Sequence, residues 1–193
     1  NMSRLDEALN YYKQVVDQAR GSSYAEEALL AIESIYRTRK QPDKYLEYVE
    51  QKRLNTGKSE EDKAKMYFNT AEQLYLAQNW QQTVSSCQAY LDKYPEGADR
   101  LQAEFYMAEA YKAQGQKEKA CEWYGKVMKH DVQSSFVELS KLNFANISYS
   151  LERYPDAYQA YLSLLASAVM DANRKTASIG MMRSAYKAKD YAS

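Results

Sequence analysis

The stretch Ala103-Glu104-Phe105-Tyr106-Met107-Ala108-Glu109-Ala110-Tyr111-Lys112-Ala113-Gln114-Gly115-Gln116-Lys117-Glu118-Lys119-Ala120-Cys121-Glu122-Trp123-Tyr124 reads as two helices and a turn. Met107, Ala108 and Tyr111 fall at i, i+1 and i+4, one side of a 3.6-residue helix. Ala120, Tyr124 and Val127 fall at i, i+4 and i+7, one side of a second helix. Gly115 stands between them, where the chain has to turn. The small Ala108 permits a neighbouring helix to come close, and Tyr111 is expected to fill the space above it. Neither helix buries its apolar side alone, so the pattern demands neighbours.

Those neighbours are in the chain. Ala8, Tyr45, Thr83, Ala120 and Ala157 hold one place in five similar segments, spaced by 37, 38, 37 and 37 residues. Twelve residues before the last four stand Glu33, Ala71, Ala108 and Ala145, each preceded by Ile32, Thr70, Met107 or Phe144. Four residues after the five come Tyr12, Val49, Cys87, Tyr124 and Tyr161, and three further on Val15, Lys52, Tyr90, Val127 and Leu164. Self-similarity at a fixed period marks a repeat array, in which each unit buries its face against the next. The spacing predicts ten helices, roughly over 3–19, 23–39, 42–55, 60–78, 80–93, 98–114, 117–130, 135–152, 154–169 and 171–189, and no strand. Gly21, Gly57, Gly97 and Gly115 fall between helices and Pro95 and Pro155 at boundaries, where Pro is tolerated. Ser22-Ser23, Ser59 and Ser134-Ser135 are predicted N-caps. Both ends lie at one phase of the repeat, because Asp190-Tyr191-Ala192-Ser193 stands where another second helix is due. The expectation is one array over 1–193, a fragment of a longer one, with Ile179, Met181 and Met182 partly exposed and end-to-end self-association of the fragment as a consequence.

Composition removes several alternatives. The 193 residues carry 26 Lys+Arg and 26 Asp+Glu, and this zero net charge opposes nucleic-acid binding and a polybasic membrane patch. A hydrophobic share of 45% with a mean hydropathy of -0.74 fits a soluble globular chain. Six Gly and three Pro are too few for a turn-rich sandwich or barrel. No run approaches the ~20 apolar residues of a membrane helix. The opening Asn1-Met2-Ser3-Arg4-Leu5-Asp6 lacks the apolar core of a signal peptide.

The offsets resemble those of the tetratricopeptide repeat, a helix–turn–helix unit of about 34 residues. The copy quoted above and the copy from Phe144 to Tyr161 are the closest. The copy from Leu29 to Lys52 is the weakest, with Glu33 in the small-residue place and Lys52 in an apolar one. The resemblance implies an all-α solenoid of about ten helices in antiparallel pairs, wound into a right-handed superhelix. The period of 37 is longer than usual, and the extra residues lie in connections such as Lys93-Tyr94-Pro95-Glu96-Gly97-Ala98-Asp99-Arg100-Leu101-Gln102-Ala103. With Ala108-Glu109-Ala110-Tyr111 behind it, this stretch resembles the bacterial cell-envelope subgroup, the outer-membrane assembly lipoproteins and Tol–Pal-associated periplasmic proteins. That likeness implies a non-enzymatic scaffold holding protein partners or extended peptides in a concave groove, in the periplasm or cell envelope. The cytoplasm is the alternative, since cytosolic repeats also use Tyr-Pro connections.

The 19 tyrosines need a reason. Tyr36, Tyr111, Tyr124 and Tyr161 stand at repeat core places, where a large ring with a polar tip suits a thin two-layer core. Tyr75, Tyr149 and Tyr186 lie one residue beyond the core Tyr, the phase that lines the concave face in the resembled family, with Arg37 and Lys112 completing the row. Seven residues earlier lie Leu30, Phe68, Phe105, Leu142 and Ile179. Phe68, Tyr75, Phe105, Lys112, Leu142, Tyr149 and Tyr186 form the candidate partner-binding set, with packing against the next repeat as the competing and stronger role. The matching row is apolar, which argues against the Lys/Asn grip on a chaperone's terminal carboxylate that some repeats of this class use.

Chemistry-bearing residues are sparse. Cys87 and Cys121 hold packing places on consecutive second helices and read as free, buried thiols. His130 ends a helix, where a cation suits the dipole. Asn146-Ile147-Ser148 is a glycosylation triplet in mid-helix and reads as chance. The run Arg37-Thr38-Arg39-Lys40 reads as a solvated helix end. With one His and two Cys there is no metal spacing, and no phosphate loop or catalytic motif appears. The sequence therefore predicts no catalytic residue, no metal and no cofactor. The leading function is a protein-binding scaffold without enzymatic activity or a membrane span; the alternative is a glycan-binding surface built on exposed rings.

Overall fold

The computed structural model describes residues 2–39 and 41–190. Ten helices and no strand occur among them: α1 (Met2–Gln18), α2 (Ser23–Thr38), α3 (Pro42–Gln51), α4 (Glu60–Leu76), α5 (Trp80–Lys93), α6 (Arg100–Ala113), α7 (Lys117–Val127), α8 (Ser135–Ser150), α9 (Tyr154–Ser167) and α10 (Asp171–Asp190). α10 continues through Asp190, past the break predicted after residue 189. Lys40 and residues 191–193 lie outside the described residues.

Helix starts follow the predicted caps. Ser22 Oγ accepts from the Ala25 amide and Ser134 Oγ from the Val137 amide, at 3.3 and 3.2 Å. Ser59 and Asp62 form a reciprocal pair: the Asp62 amide donates to Ser59 Oγ at 3.0 Å and the Ser59 amide to Asp62 Oδ2 at 3.2 Å. Asn79, which the sequence reading passed over, accepts from the Gln82 amide at 3.4 Å.

Several ends come earlier than predicted, most clearly at α3 and α7. At α3, α4, α6 and α8 a residue with positive φ closes the helix: Arg53, Gln78, Gly115 and Glu152. The next amide then reaches back to a carbonyl of the last turn. Leu54 bonds Val49 at 2.8 Å, while Asn79 bonds Leu74, Gln116 bonds Tyr111 and Arg153 bonds Ser148, each at 2.9 Å. This is the six-to-one bond of the Schellman end. Only one of the four closing residues is Gly, so reading glycine as the stop signal finds one end and overruns the others.

The chain divides into two compact units, residues 1–73 and 74–193. In the first, α1 lies along α2 and α3 packs on α2. Among the described side chains of α1, Leu9 and Val16 are buried, one position beyond the predicted Ala8 and Val15, which are half-buried like Tyr12. The stripe of α1 is turned toward α2, its partner here. Glu33 keeps the buried small-residue place because its carboxylate is bonded by Arg37 at 2.9 Å and Lys58 at 3.1 Å. Lys52 leaves its apolar place and reaches Asp17 at 2.8 Å, and Tyr45, Leu46, Tyr48 and Val49 form the buried side of α3. In the basic run, Arg37 is thus tied to Glu33, and Arg39 reaches Asp6 at 2.7 Å.

In the second unit each helix from α5 to α10 packs on the next, and α8 also touches both α6 and α10. The first helices of successive repeats therefore lie side by side. Of the predicted core places, Thr83, Cys87, Tyr90, Met107, Ala108, Ala120, Tyr124, Val127, Ala145, Ala157, Tyr161 and Leu164 are buried, while Tyr111 and Phe144 are half-buried. The long connection after α5 folds over Tyr90, whose hydroxyl accepts from the Asp99 amide at 3.1 Å. A side chain at Gly97 would place its Cβ 2.3 Å from that oxygen, so it would displace the Tyr90 hydroxyl. Cys87 and Cys121 are free and buried, and burial pushes the Cys87 thiol up to about 12.

Ala108 and Ala113 share α6 but not its environment: Ala108 is buried and Ala113 is exposed. Ala108→Leu is expected to overpack the helix pair and cost ~1–3 kcal/mol, while Ala113→Leu changes stability by less than about 0.5 kcal/mol. Urea unfolding of the two variants measures the difference; equal effects would mean that the helix phase is misassigned.

Candidate binding site

The predicted set does not share one environment. Phe68, in the first unit, is 3% exposed, with the Lys65 ammonium 5.9 Å from its ring centre. The other six belong to the second unit. Phe105 is buried, its ring 5.0 Å from Phe136 and 6.3 Å from Tyr124. Leu142 packs on the core cluster built around Ala145, Tyr161 and Leu164. Tyr75 is half-buried, stacked on Tyr106 at 4.1 Å and edge-on to Trp80 at 5.9 Å. Tyr149 is half-buried and meets Tyr154 edge-on at 5.3 Å. Lys112 is exposed and bonds Glu109 at 3.1 Å. Tyr186 is 66% exposed. Lys112 and Tyr186 are thus the exposed members, on α6 and α10, while Tyr75, Leu142 and Tyr149 are half-buried.

Tyr111 departs from its predicted core role. It is half-buried, in the same range as Tyr75 and Tyr149, with the Lys119 ammonium 5.2 Å from its ring centre. The buried rings of α6 are Phe105 and Tyr106 instead. His130 also departs. It stands beyond the end of α7, and its Nε2 lies 2.8 Å from Glu104 Oε2. Glu104 is buried and also bonded by Arg100 at 3.0 Å, so His130 ties the loop after α7 to α6 instead of capping its own helix. In the glycosylation triplet, Ser148 is buried.

The structure adds polar residues one position beyond the small-residue row. Between α6, α7 and α8, the buried Tyr124 hydroxyl donates to Glu109 Oε1. Asn143 Nδ2 donates to the same oxygen at 2.9 Å, and Lys112 completes the set. Burial, reinforced by the Glu109 carboxylate, pushes the Tyr124 hydroxyl far above its ordinary value. One repeat on, the Tyr161 hydroxyl donates to Asn146 Oδ1 at 2.7 Å. There, Asn146, Tyr149, Tyr161, Thr176, Ile179, Gly180 and Arg183 surround a hollow of about 360 Å³. Gly180 lies flat against the Tyr161 ring, and a Cβ on it would come within 2.4 Å of that ring. The 37-residue period flags Glu109 and Asn146 as equivalent, but no composition signal marks them as polar anchors.

A larger cleft, about 740 Å³, lies between the loop after α7 and the start of α10 and is polar. Glu138 is bonded there by the Val169 and Met170 amides at 3.0 and 3.2 Å and by Asn173 Nδ2 at 2.7 Å, so its charge serves the α10 start. Among the described residues, no group of three or more His, Cys, Asp or Glu is placed to hold a metal ion. No described helix is long and apolar enough to cross a membrane.

Residues 61–97 and 102–134 match the family profile described as a tetratricopeptide repeat, so the chain carries repeats of this type. No curated protein matches the chain by sequence. Among solved structures, the crystal structure of BtubC (BKLC) from P. vanneervenii aligns with a TM-score of 0.55 at 16% identity, covering 97% of this chain and 85% of that one. A putative kinesin light chain from P. anserina with nearly identical TPR-like repeats aligns with a TM-score of 0.54 at 14% identity, covering 98% of this chain and 89% of that one. At these identities the likeness establishes the fold alone: an all-α repeat array.

Proposed function

We propose that this chain is a non-enzymatic scaffold that holds a segment of a partner protein along the face of its first helices. Tetratricopeptide repeats are protein-interaction modules, and the side-by-side α6, α8 and α10 give such a segment a continuous track. The observation that carries the reading is Tyr186, a large ring left mostly in solvent at the place that Lys112 and Tyr149 hold in the preceding repeats. An exposed aromatic on a rigid helix is an efficient anchor, since it loses little rotamer freedom on binding and buries a large area. The connection from Lys93 to Ala103 supports a setting in a bacterial cell envelope, where partners would be envelope proteins.

The test is capture of partners from an extract of the source cells with the intact chain and with a Lys112→Glu/Tyr186→Ala variant. Both positions are exposed, so melting is expected to stay within a few degrees. Truncating an aromatic anchor costs ~2 kcal/mol or more, so recovery of the bound partners should fall by roughly 30-fold. Equal recovery of the same partners by both proteins would rule out this face.

A further inference from the structure

α10 keeps part of its apolar surface in solvent. It packs on α9 and α8, and Asn173, Ala177, Gly180 and Ser184 lie buried along one side of it. On the far side of the same helix Ile179 is 47% and Met182 61% exposed. The repeat shows what those two places do elsewhere. One period back they are Leu142 and Ala145 in α8, and two periods back Phe105 and Ala108 in α6. Phe105, Ala108 and Ala145 are buried and Leu142 is half-buried. The second helix of the same repeat covers them. Tyr124 of α7 stands edge-on to Phe105 at 6.3 Å, and Ala157 and Tyr161 of α9 share a core cluster with Ala145 and Leu142. The open stripe of α10 is thus the surface on which α6 and α8 each receive a second helix.

The chain also carries a second helix with the matching stripe. Ala8, Tyr12 and Val15 of α1 repeat Ala120, Tyr124 and Val127 of α7 residue for residue, at the same spacing. In α7 all three are 0% exposed. In α1 the same three are only half-buried, because α1 packs on α2 and turns Leu9 and Val16 inward. Tyr11, beside the stripe, is 64% exposed. α1 lies along α2 as α7 lies along α8, so it is already placed as the second helix that precedes a first helix.

We infer that α10 of one copy receives α1 of a second copy, in the arrangement that α6 makes with α7. Carried over by the period, that arrangement sets Ile179 against Tyr12, as Phe105 stands against Tyr124, and brings Met182 level with Ala8. Met182 is longer than the alanines in its place in earlier repeats. Its unbranched thioether adapts to irregular gaps, and the small Ala8 leaves it room. Arg183 takes the place of Glu109 and meets the Tyr12 hydroxyl. A hydroxyl accepts from a guanidinium just as the Tyr124 hydroxyl donates to the Glu109 carboxylate. Apolar surface on both helices leaves water together, which drives the contact. The joined surfaces are unlike, so the contact does not close on itself and copies add head to tail. The first-helix row stays open in this arrangement. Lys112 and Tyr149, equivalent to Tyr186, remain exposed and half-buried beside second helices already in place.

Two measurements on the intact chain test this. Sedimentation over a wide concentration range is expected to show a mass that rises past the dimer. Met182→Asp, at an exposed place, buries an unpaired carboxylate in the contact and is expected to weaken association by at least about tenfold, with melting unchanged. The register is read by crosslinking. Ala8→Cys and Met182→Cys variants are made separately and joined with a short bismaleimide, while Cys87 and Cys121 are buried and stay unlabelled. Adducts of two chains are expected when the variants are mixed and from neither variant alone. A chain that stays monomeric at every concentration would overturn the inference. So would association that Met182→Asp leaves untouched, a mixture that gives no adduct, or adducts from a single variant, which would join like surfaces. The capture experiment with Lys112→Glu/Tyr186→Ala bears on the first-helix row and is decided separately.

Discussion

Tyr124→Ala is expected to destabilise the second unit by ~3–5 kcal/mol, the largest effect of any single truncation considered for this chain. Tyr124 is 0% exposed and sits where α6, α7 and α8 converge. Its ring packs edge-on to Phe105, and its hydroxyl donates to the Glu109 carboxylate. Removing the side chain opens a ring-sized cavity in a close-packed layer and takes one of three donors from a partly buried carboxylate. Tyr124→Phe separates the two contributions, since it keeps the ring and is expected to cost ~1–2 kcal/mol. Tyr111→Ala is the control. Its ring is only half-buried, and the expected loss is about 1–2 kcal/mol, well under that of a full core deletion. Urea unfolding followed by circular dichroism gives all three values. Repeats couple mainly to their neighbours, so the loss should also appear as faster hydrogen exchange in α6, α7 and α8 before the rest. A Tyr124→Ala cost no larger than that of Tyr111→Ala would contradict the packing described here.

Glu138→Ala is expected to cost about 3 kcal/mol at neutral pH and to loosen α10 first. Glu138 is buried in α8, and its carboxylate accepts the Val169 and Met170 amides and the Asn173 side chain. Those donors precede or open α10, so the carboxylate caps that helix from a neighbouring one. Without it, two backbone amides and a buried amide side chain lose their acceptor together. Burial alone would raise the Glu138 carboxyl, but the Val169 amide, Asn173 and the Met170 amide outweigh it and hold it below its ordinary 4.5. The sign follows from the depressed value. The unfolded chain binds its proton more readily, so the contribution is fully present above pH 4.5 and is lost as pH falls through the lower folded value. Acid titration of the intact chain should therefore show α10 exchange rising below that pH. In Glu138→Gln the same region should start less protected and respond less to acid. A Glu138→Ala variant as stable as the intact chain, or an α10 whose protection ignores acid, would show that the cap carries no weight.

The array and its period were legible because packing imposes them. Ala71, Ala108 and Ala145 are small since helices meet there, and all three are buried as their spacing predicts. Features that depend on exchange between repeats were harder to read. Glu33 looks like a broken copy in sequence, but Arg37, one turn on, and Lys58, in the loop after α3, satisfy it. His130 looks like a helix cap because its partner, Glu104, is 26 residues away and has no local signature. Helix ends were overrun where Arg53, Gln78 and Glu152 adopt the left-handed conformation usually given to glycine. The candidate face was legible as a phase but not as a surface. Phe68 and Phe105 share the row with Lys112 and Tyr186, yet the two phenylalanines are buried and the others exposed. The hollow at Gly180 leaves almost no trace in one copy of the repeat.

The first-helix face is tested most directly by photocrosslinking. A benzoylphenylalanine introduced singly at positions 112, 149 and 186 probes the first helices, and the same group at the exposed second-helix positions 88 and 122 probes the opposite elements. In the source cells, partner adducts are expected from 112, 149 and 186 and not from 88 or 122. Adducts confined to 88 and 122 would contradict the account and move the binding surface to the second helices.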